Sequence, residues 1–545
     1  MLPGCRILII HPNPFNLSKM SFQHKVLILA SVAIMAGAQA LQAQKELPTE
    51  SVNVIKAFDA RLLESSKINV LPSLPPLDTA TQKQDYLVPQ RPLTVKYDAP
   101  KLRPIGMKAG KKEEVDNGFL KLGAGVPLSI WAEGGYYLNA GKKFDAKIWF
   151  RHHSQLSDNA LANQKFANND ALVSGNYYIN DKIAVEGKVG YKYDIVHYYG
   201  YNHDSITLPE DRVRQEYKIL DVAGRLYNAE RTDLDLNYFI APKFYLMNDY
   251  YGNRETGFDL SLGATKWFAE KHALRFVIRT DFTNFSDSVS QHLNNIYLQP
   301  SFTLHFDFLK LKIGGNFASN RDQFSIYPDA EIGVPIYEDE IQLFAGATGD
   351  LKKNTFRSMA TYNPFIQIRT AALRNTSVNN YYGGLKGDLG WLEYTGQVGY
   401  SKSTDLALFQ TLFAGDRITR FQAIYDTVTM LNVQGTVKVT LMKSLVLNGT
   451  LSENLTMTPK AQAKPWGLPK LEGNFGAVYS LLDGQAILKG NCYIADGIWY
   501  KDQEGIARQG KVLLDIGFGG AYWFTKNIGV FLDVNNILNN KRARW

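Results

Sequence analysis

Cysteine is nearly missing: Cys5 and Cys492 are the only two in 545 residues, too few for a disulfide framework or a cysteine-based zinc site. Long apolar runs are missing too. After the N-terminal region no stretch approaches the ~18 apolar residues that a membrane-crossing helix needs, which excludes a helical membrane protein. Neither charge sign dominates. Lys and Arg total 60 against 52 Asp and Glu, and they are spread along the chain, without the concentrated basic surface of a nucleic-acid binder. What the sequence does carry is aromatic weight, with 30 Tyr, 29 Phe and 8 Trp.

The first 40 residues read as a signal peptide. Lys19 and His24-Lys25 precede the apolar stretch 26–36, and small residues follow through Ala40, the basic, apolar, small-residue order of an exported protein. Met20 is an alternative start. Cys5 is then lost with the leader. Residues 41–117 form a second region, rich in proline (Pro48, Pro72, Pro75, Pro76, Pro89, Pro92, Pro100, Pro104) and poor in aromatics, a composition that gives extended chain.

From Gly118 to Trp545 a period of two takes over. In 296–308, Ile296, Leu298, Pro300, Phe302, Leu304, Phe306 and Phe308 share one face, while Tyr297, Gln299, Ser301, Thr303, His305 and Asp307 share the other. Residues 274–282, 309–317, 234–245 and 431–441 repeat the pattern. Such strands are long beside the five or six residues usual in soluble sheets. Short polar turns punctuate them at 139–142, 180–182, 230–233, 269–272, 337–340, 481–484 and 525–527, and longer Tyr-rich connections, such as 197–212 and 248–254, alternate with these. Long two-faced strands with short turns at one end and long loops at the other predict an all-β fold, a large antiparallel transmembrane β-barrel of roughly 20–22 strands. Its apolar face meets outer-membrane lipid. A soluble sandwich would need a second sheet over every apolar face.

The segment Leu532-Asp533-Val534-Asn535-Asn536-Ile537-Leu538-Asn539-Asn540-Lys541 resembles the near-terminal segment of TonB-dependent outer-membrane receptors, above all those of Bacteroidetes-type bacteria. Residues 469–479 are similar to a late barrel strand of that group. The resemblance implies a barrel in the outer membrane and an energising TonB-like partner. Glu50, Ser51, Val52, Asn53, Val54 and Ile55 look like a TonB box, a short segment able to add a strand to a partner sheet. The family's folded plug has no counterpart here: the Pro-rich segment is too short and lacks apolar periodicity.

Three functions stay open: a receptor in solute uptake, a passive porin-like channel, and a structural barrel subunit among envelope-complex partners. The polar faces place Asp235, Arg275, Arg279, Asp281, His305, Asp307, Lys310, Lys312 and Lys438 toward the lumen. Enzymatic chemistry finds no support. His152 and His153 are adjacent on a strand and point to opposite faces, and Ser301 and His305 sit about 13 Å apart along theirs. No cofactor or metal site is read. Tyr198, Tyr199, Tyr201, Tyr250, Tyr251, Tyr381 and Tyr382 are expected in an interfacial girdle. Residues 528–536 read as an outgoing strand followed by a tail without alternation, so the closing strand is expected to be missing, through truncation or a gene-model error, and this strand to have one edge unpaired or strained into contact with 119–125.

Overall fold

The computed structural model describes residues 117–541, apart from 140, 142, 157–160, 288, 321–322, 338–339, 368–371 and 414–417. The residues read as a signal peptide, the TonB-box-like residues 50–55 and the Pro-rich segment up to residue 116 lie outside the described residues.

The described chain is one antiparallel sheet of 21 strands plus a two-stranded hairpin. The sheet begins with β1 (Gly118–Gly125), β2 (Ser129–Asn139), β3 (Phe144–Leu156), β4 (Lys165–Tyr178), β5 (Ile183–His197), β6 (Arg214–Asn228) and β7 (Leu236–Asp249). It continues through β8 (Arg254–Phe268), β9 (His272–Ser286), β10 (Ser290–His305), β11 (Lys310–Asn320), β12 (Gln323–Tyr337), β13 (Ile341–Asn354) and β14 (Arg374–Asp388). The last part is β15 (Leu392–Phe413), β16 (Thr419–Met442), β17 (Leu445–Pro459), β18 (Leu471–Leu481), β19 (Ala486–Asp496), β22 (Leu513–Trp523) and β23 (Gly529–Val534). The hairpin β20 (Trp499–Lys501) and β21 (Ala507–Gln509) sits in the connection before β22. Each strand of the large sheet pairs with the next, within the predicted range of strand number.

Alternation sets the two faces. On β9 and β10, Leu274, Phe276, Phe282, Ile296 and Leu298 are exposed on the outer face. Val277, Phe285, Leu293 and Tyr297, one residue out of phase, are buried inside. The register agrees, since Arg279 lies opposite Tyr297 and Ile278 opposite Leu298. Proline locally opens the ladders: the β10–β11 register passes from Leu298 opposite Phe317 to Ser301 opposite Gly314, skipping Pro300, which has no N–H to give. Apolar side chains cover the outside in a continuous belt, far more than a soluble monomer exposes.

Connections sort by length. The even-numbered strands from β2 to β18, and β22 after them, end in short turns at one rim, and the predicted turn segments all fall there. The opposite rim, the mouth, mixes long connections after β3, β5, β13, β17 and β19 with short ones after β1, β7, β9, β11 and β15, so that the expected longer connection at 248–254 is only the short turn 250–253. Two of the tallest strands meet there: β15 has 22 residues and β16 has 24, roughly 70–80 Å of chain at about 3.3 Å per residue.

Candidate functional site

The connection from β13 to β14 does not stay at the rim. It enters the interior as a short helix, α1 (Phe356–Tyr362). Thr355 starts it with a reciprocal cap: its hydroxyl accepts from the Ser358 N–H at 3.1 Å, and its own N–H donates to Ser358 Oγ at 2.9 Å. Such a box satisfies two of the N–H groups that a helix start leaves over.

Two opposite walls hold this segment. On one side Glu255 of β8, fully buried, accepts from the backbone N–H of Phe356 at 2.6 Å and of Arg357 at 3.0 Å, and from the Tyr245 hydroxyl at 2.9 Å. The Arg357 guanidinium donates to both carboxylate oxygens of Asp221 on β6, at 2.6 and 2.9 Å, the bidentate geometry that fixes direction as well as distance. The Tyr217 hydroxyl donates to the Pro364 carbonyl at 2.7 Å. On the other side, Gln367 N–H donates to the Phe421 carbonyl of β16 at 2.7 Å, and Phe421 N–H to the Phe365 carbonyl at 3.1 Å. Strands β6 and β16 are ten apart along the sheet, so a segment bonded to both crosses the interior.

An apolar core seals the crossing. Phe356, Met359, Ala360 and Ile366 pack with Val196, Tyr217, Ile219, Met247, Phe285 and Leu293 from β5–β10 and with Phe409 and Ala423 from β15–β16. Burying such side chains stabilises by about 1.5–3 kcal/mol each. Beside it the β5–β6 connection adds Tyr198, Tyr201 and Val213 against Ile418, and Thr419 N–H donates to the Gly200 carbonyl at 2.9 Å. Burial pushes the Tyr198 hydroxyl above its ordinary pKa. This connection carries a second short helix, α2 (Glu210–Val213). Lys165 Nζ donates to Glu210 Oε2 at 2.8 Å, and His197 Nε2 lies 3.1 Å from Glu210 Oε1; the lysine bond foremost, and then the histidine, hold the Glu210 carboxyl below its usual range.

The residues expected in the lumen divide into two groups. Arg275, Arg279, Asp281, His305, Lys310, Lys312 and Lys438 fall on the interior face. Asp235 and Asp307 do not, because the strands stop short of them. Asp235 is in the β6–β7 turn with φ +53°, a conformation that Asp and Asn accept more readily than most residues, and Asp307 is exposed in the β10–β11 turn. The interior cations also have partners that alternation alone could not assign. Lys312 meets Asp329 at 2.6 Å and Lys438 meets Glu393 at 2.5 Å. Asp281 pairs with Lys353, and Arg279 stacks over the Tyr297 ring at 3.9 Å. Deeper round the wall, Arg151 binds Asp170 and Lys192 binds Asp194, at 2.5 and 2.8 Å. The tyrosine girdle is corrected as well: Tyr198 and Tyr201 are core residues of the mouth. Tyr382 points inward to Glu331 at 2.8 Å, while its neighbour Tyr381 is exposed outside.

Sequence reasoning missed the β13–β14 segment. Its signals were present, a Thr-x-x-Ser capping pattern followed by Phe, Met and Ile in a connection, but its partners Asp221, Glu255 and Phe421 are distant in sequence.

No family model matches the chain, and a search of curated proteins found no match. Solved structures do resemble it. A mutant of the ferric enterobactin receptor from Pseudomonas aeruginosa superposes with a TM-score of 0.57 at 10% identity, over 77% of this chain and 74% of that one. The FrpB iron transporter from Neisseria meningitidis gives 0.58 at 10% identity, over 78% and 76%. The ferripyoverdine receptor of the Pseudomonas aeruginosa outer membrane gives 0.57 at 12%, over 78% and 68%. The chain thus shares the fold of these receptor barrels.

Proposed function

We propose that this chain is an outer-membrane barrel of the TonB-dependent receptor type that takes up a solute through its interior, with the β13–β14 segment as the gate. One observation carries the reading: a single connection is bonded to β6 and β8 on one wall and to β16 on the other, around an apolar core. Such a mouth opposes free diffusion, which separates this reading from a porin-like channel. The apolar outer belt supports a lipid surround. In this reading residues 1–40 direct export, residues 41–117 lie in the periplasm, and Glu50–Ile55 offer a strand to a TonB-like protein. The receptor type is that of Bacteroidetes-type bacteria and works without a folded plug.

The test is conductance of the purified protein in planar bilayers, before and after replacing residues 356–366 with a short Gly-Ser link. Uptake through a gate expects a nearly silent parent and a conducting variant. A parent that conducts steadily supports the porin-like channel. Silence of both, with stable co-purification of envelope proteins, supports the structural subunit.

A further inference from the structure

The interior segment takes part of the wall with it. β12 and β13 pair from Tyr337 opposite Ile341 as far as Asp329 opposite Thr348 and then part, although β12 reaches back to Gln323 and β13 on to Asn354. Past that point β13 stays paired with β14, out to Asn354 opposite Arg374, and this two-stranded ribbon tucks inside the barrel. Parity shows the tuck. Leu343 and Leu351 have the same parity on β13, yet Leu343 is exposed outside while Leu351 is buried among Tyr297, Ala318 and Tyr327 from the inner faces of β10, β11 and β12. Polar contacts pin the ribbon there: the Tyr297 hydroxyl donates to the Leu351 carbonyl at 3.0 Å, Asn316 Nδ2 to Asp350 Oδ1 at 2.9 Å, and Lys353 Nζ to Thr283 Oγ1 at 2.6 Å and to Asp281. The amides of Asn295 and Asn375 pair at 2.9 and 3.1 Å. The tuck also leaves groups open. Among the described residues, no backbone bond reaches 323–328 from the β13 side, Phe324 and Ile326 are 73% and 71% exposed, and the buried Tyr327 hydroxyl and Asn316 Oδ1 find no partner.

We propose that the ribbon has a second seat, in the wall, where β13 zips onto β12 in the register that it already keeps up to Thr348. The inference deepens the gate reading and rests on it: Thr355 and α1 follow Asn354 directly, so the swing draws the crossing segment off Glu255 and Asp221 and opens the mouth as the wall closes. Continued without a slip, the register sets Gly349 opposite Pro328, Leu351 opposite Ile326 and Lys353 opposite Phe324. Leu351 then joins Ile326 on the outer face, and Asp350 and Lys352 turn to the lumen. An open strand edge gains a ladder, and open edges are what a barrel in lipid avoids. The parting point suits a hinge. Pro328 has no N–H to give, and Gly349 is accommodated in the tuck only as glycine, since a Cβ there would stand 2.8 Å from Tyr327 Cβ. On its other side the ribbon stays joined to β15 through Ser377 opposite Thr404, and β15 bends just beyond, at Asp405 with φ +53°, where its register with β16 shifts. Each seat satisfies groups that the other leaves open, as a two-state element requires.

The test reads the second seat by disulfide coupling of Ser325→Cys to Lys352→Cys, which stand opposite one another only when the zip extends, in the full chain carrying Cys5→Ser and Cys492→Ser. Ala330→Cys with Ala347→Cys, already opposite one another, should couple in every variant and shows that the barrel is assembled. In the parent the upper pair should couple slowly. Gly349→Ala strikes Tyr327 in the tucked seat and points outward in the wall, so it should speed that coupling about tenfold or more. Tyr297→Phe, which removes the pin to Leu351, should speed it about threefold to tenfold. Upper coupling that neither variant speeds, with the lower pair formed, overturns the proposal. Upper coupling as fast as that of the lower pair in the parent also overturns it, by putting the ribbon in the wall at rest. The readout is chemical and not electrical: faster coupling in a variant that stays silent in bilayers keeps the second seat and removes the gate, whereas a conducting 356–366 replacement with no effect of either substitution keeps the gate and removes the second seat.

Discussion

The two rims of the barrel are built from the same strands and behave oppositely. At one rim, turns such as 179–182 and 269–271 reverse the chain with little more than Asn, Asp or a positive φ. At the other, connections of comparable polarity fold inward and bury Phe356, Met359 and Ile366 against strands from both walls. The difference is not one of strand chemistry, since β6 and β8 serve both rims. It lies in connection length: a turn of a few residues has no chain to spare for the interior, whereas the 19 residues between Asn354 and Arg374 reach across it. Among the described residues, the chain that crosses the interior is therefore found at the mouth.

The strongest way to break this contrast is to remove the crossing. Replacing 356–366 with a short link should raise single-channel conductance from near silence to that of a wide pore, with the barrel still resisting unfolding in cold detergent on gels. An unchanged conductance would place the barrier elsewhere. Next in size, Phe356→Ala should cost the mouth core about 3–5 kcal/mol, seen as faster proteolysis at residues 354–373 while the strands stay protected. Asp221→Asn leaves the Arg357 fork half-satisfied. Because both side chains are partly exposed, the effect should be about 1 kcal/mol, read as more frequent brief openings, and combining it with Arg357→Gln should give less than the sum.

Much of this architecture was legible in the sequence, and the failures have a common cause. The faces of 296–305 were right residue by residue, because period two is a local property that the sheet enforces. Phe306 and Phe308 were placed on the same strand, but the chain turns at 306–309; alternation continued past the point where pairing stopped. Asp235 and Asp307 were misplaced for the same reason. Residues 528–536 do come against 119–125, through Lys121 Nζ 3.8 Å from Asp533 Oδ2. What alternation could not give was pairing across distance: Lys312 with Asp329, Lys438 with Glu393, and Arg357 with Asp221 join residues that no local pattern relates.

Two smaller tests sharpen the contrast. Acid should loosen the mouth first. Glu210 has its carboxyl pKa depressed by Lys165 and His197, so its contribution is present above the ordinary carboxylate value, about 4.3, and is lost as pH falls through the lower folded value. Hydrogen exchange across 198–213 should accelerate below about pH 4 and show no such step in Glu210→Gln. At the other rim, Glu393→Gln frees Lys438 from an exposed pair, the kind that contributes little to stability. Thermal stability should not move, and reversal potentials of the loop-deleted barrel should shift slightly toward anions.

The height of β15 and β16 has a further consequence. Their 22 and 24 residues outrun a hydrocarbon layer of about 30 Å even when steeply tilted. Above it, Leu408 and Val428 are buried with Trp466 from the β17–β18 connection, and Trp466 bridges to Trp499 of the small hairpin. The rim is thus a lopsided turret with one tall flank rather than a level ring. That flank carries its own apolar cluster, distinct from the one around α1, so the tallest surface and the crossing are separated in space on the same molecule.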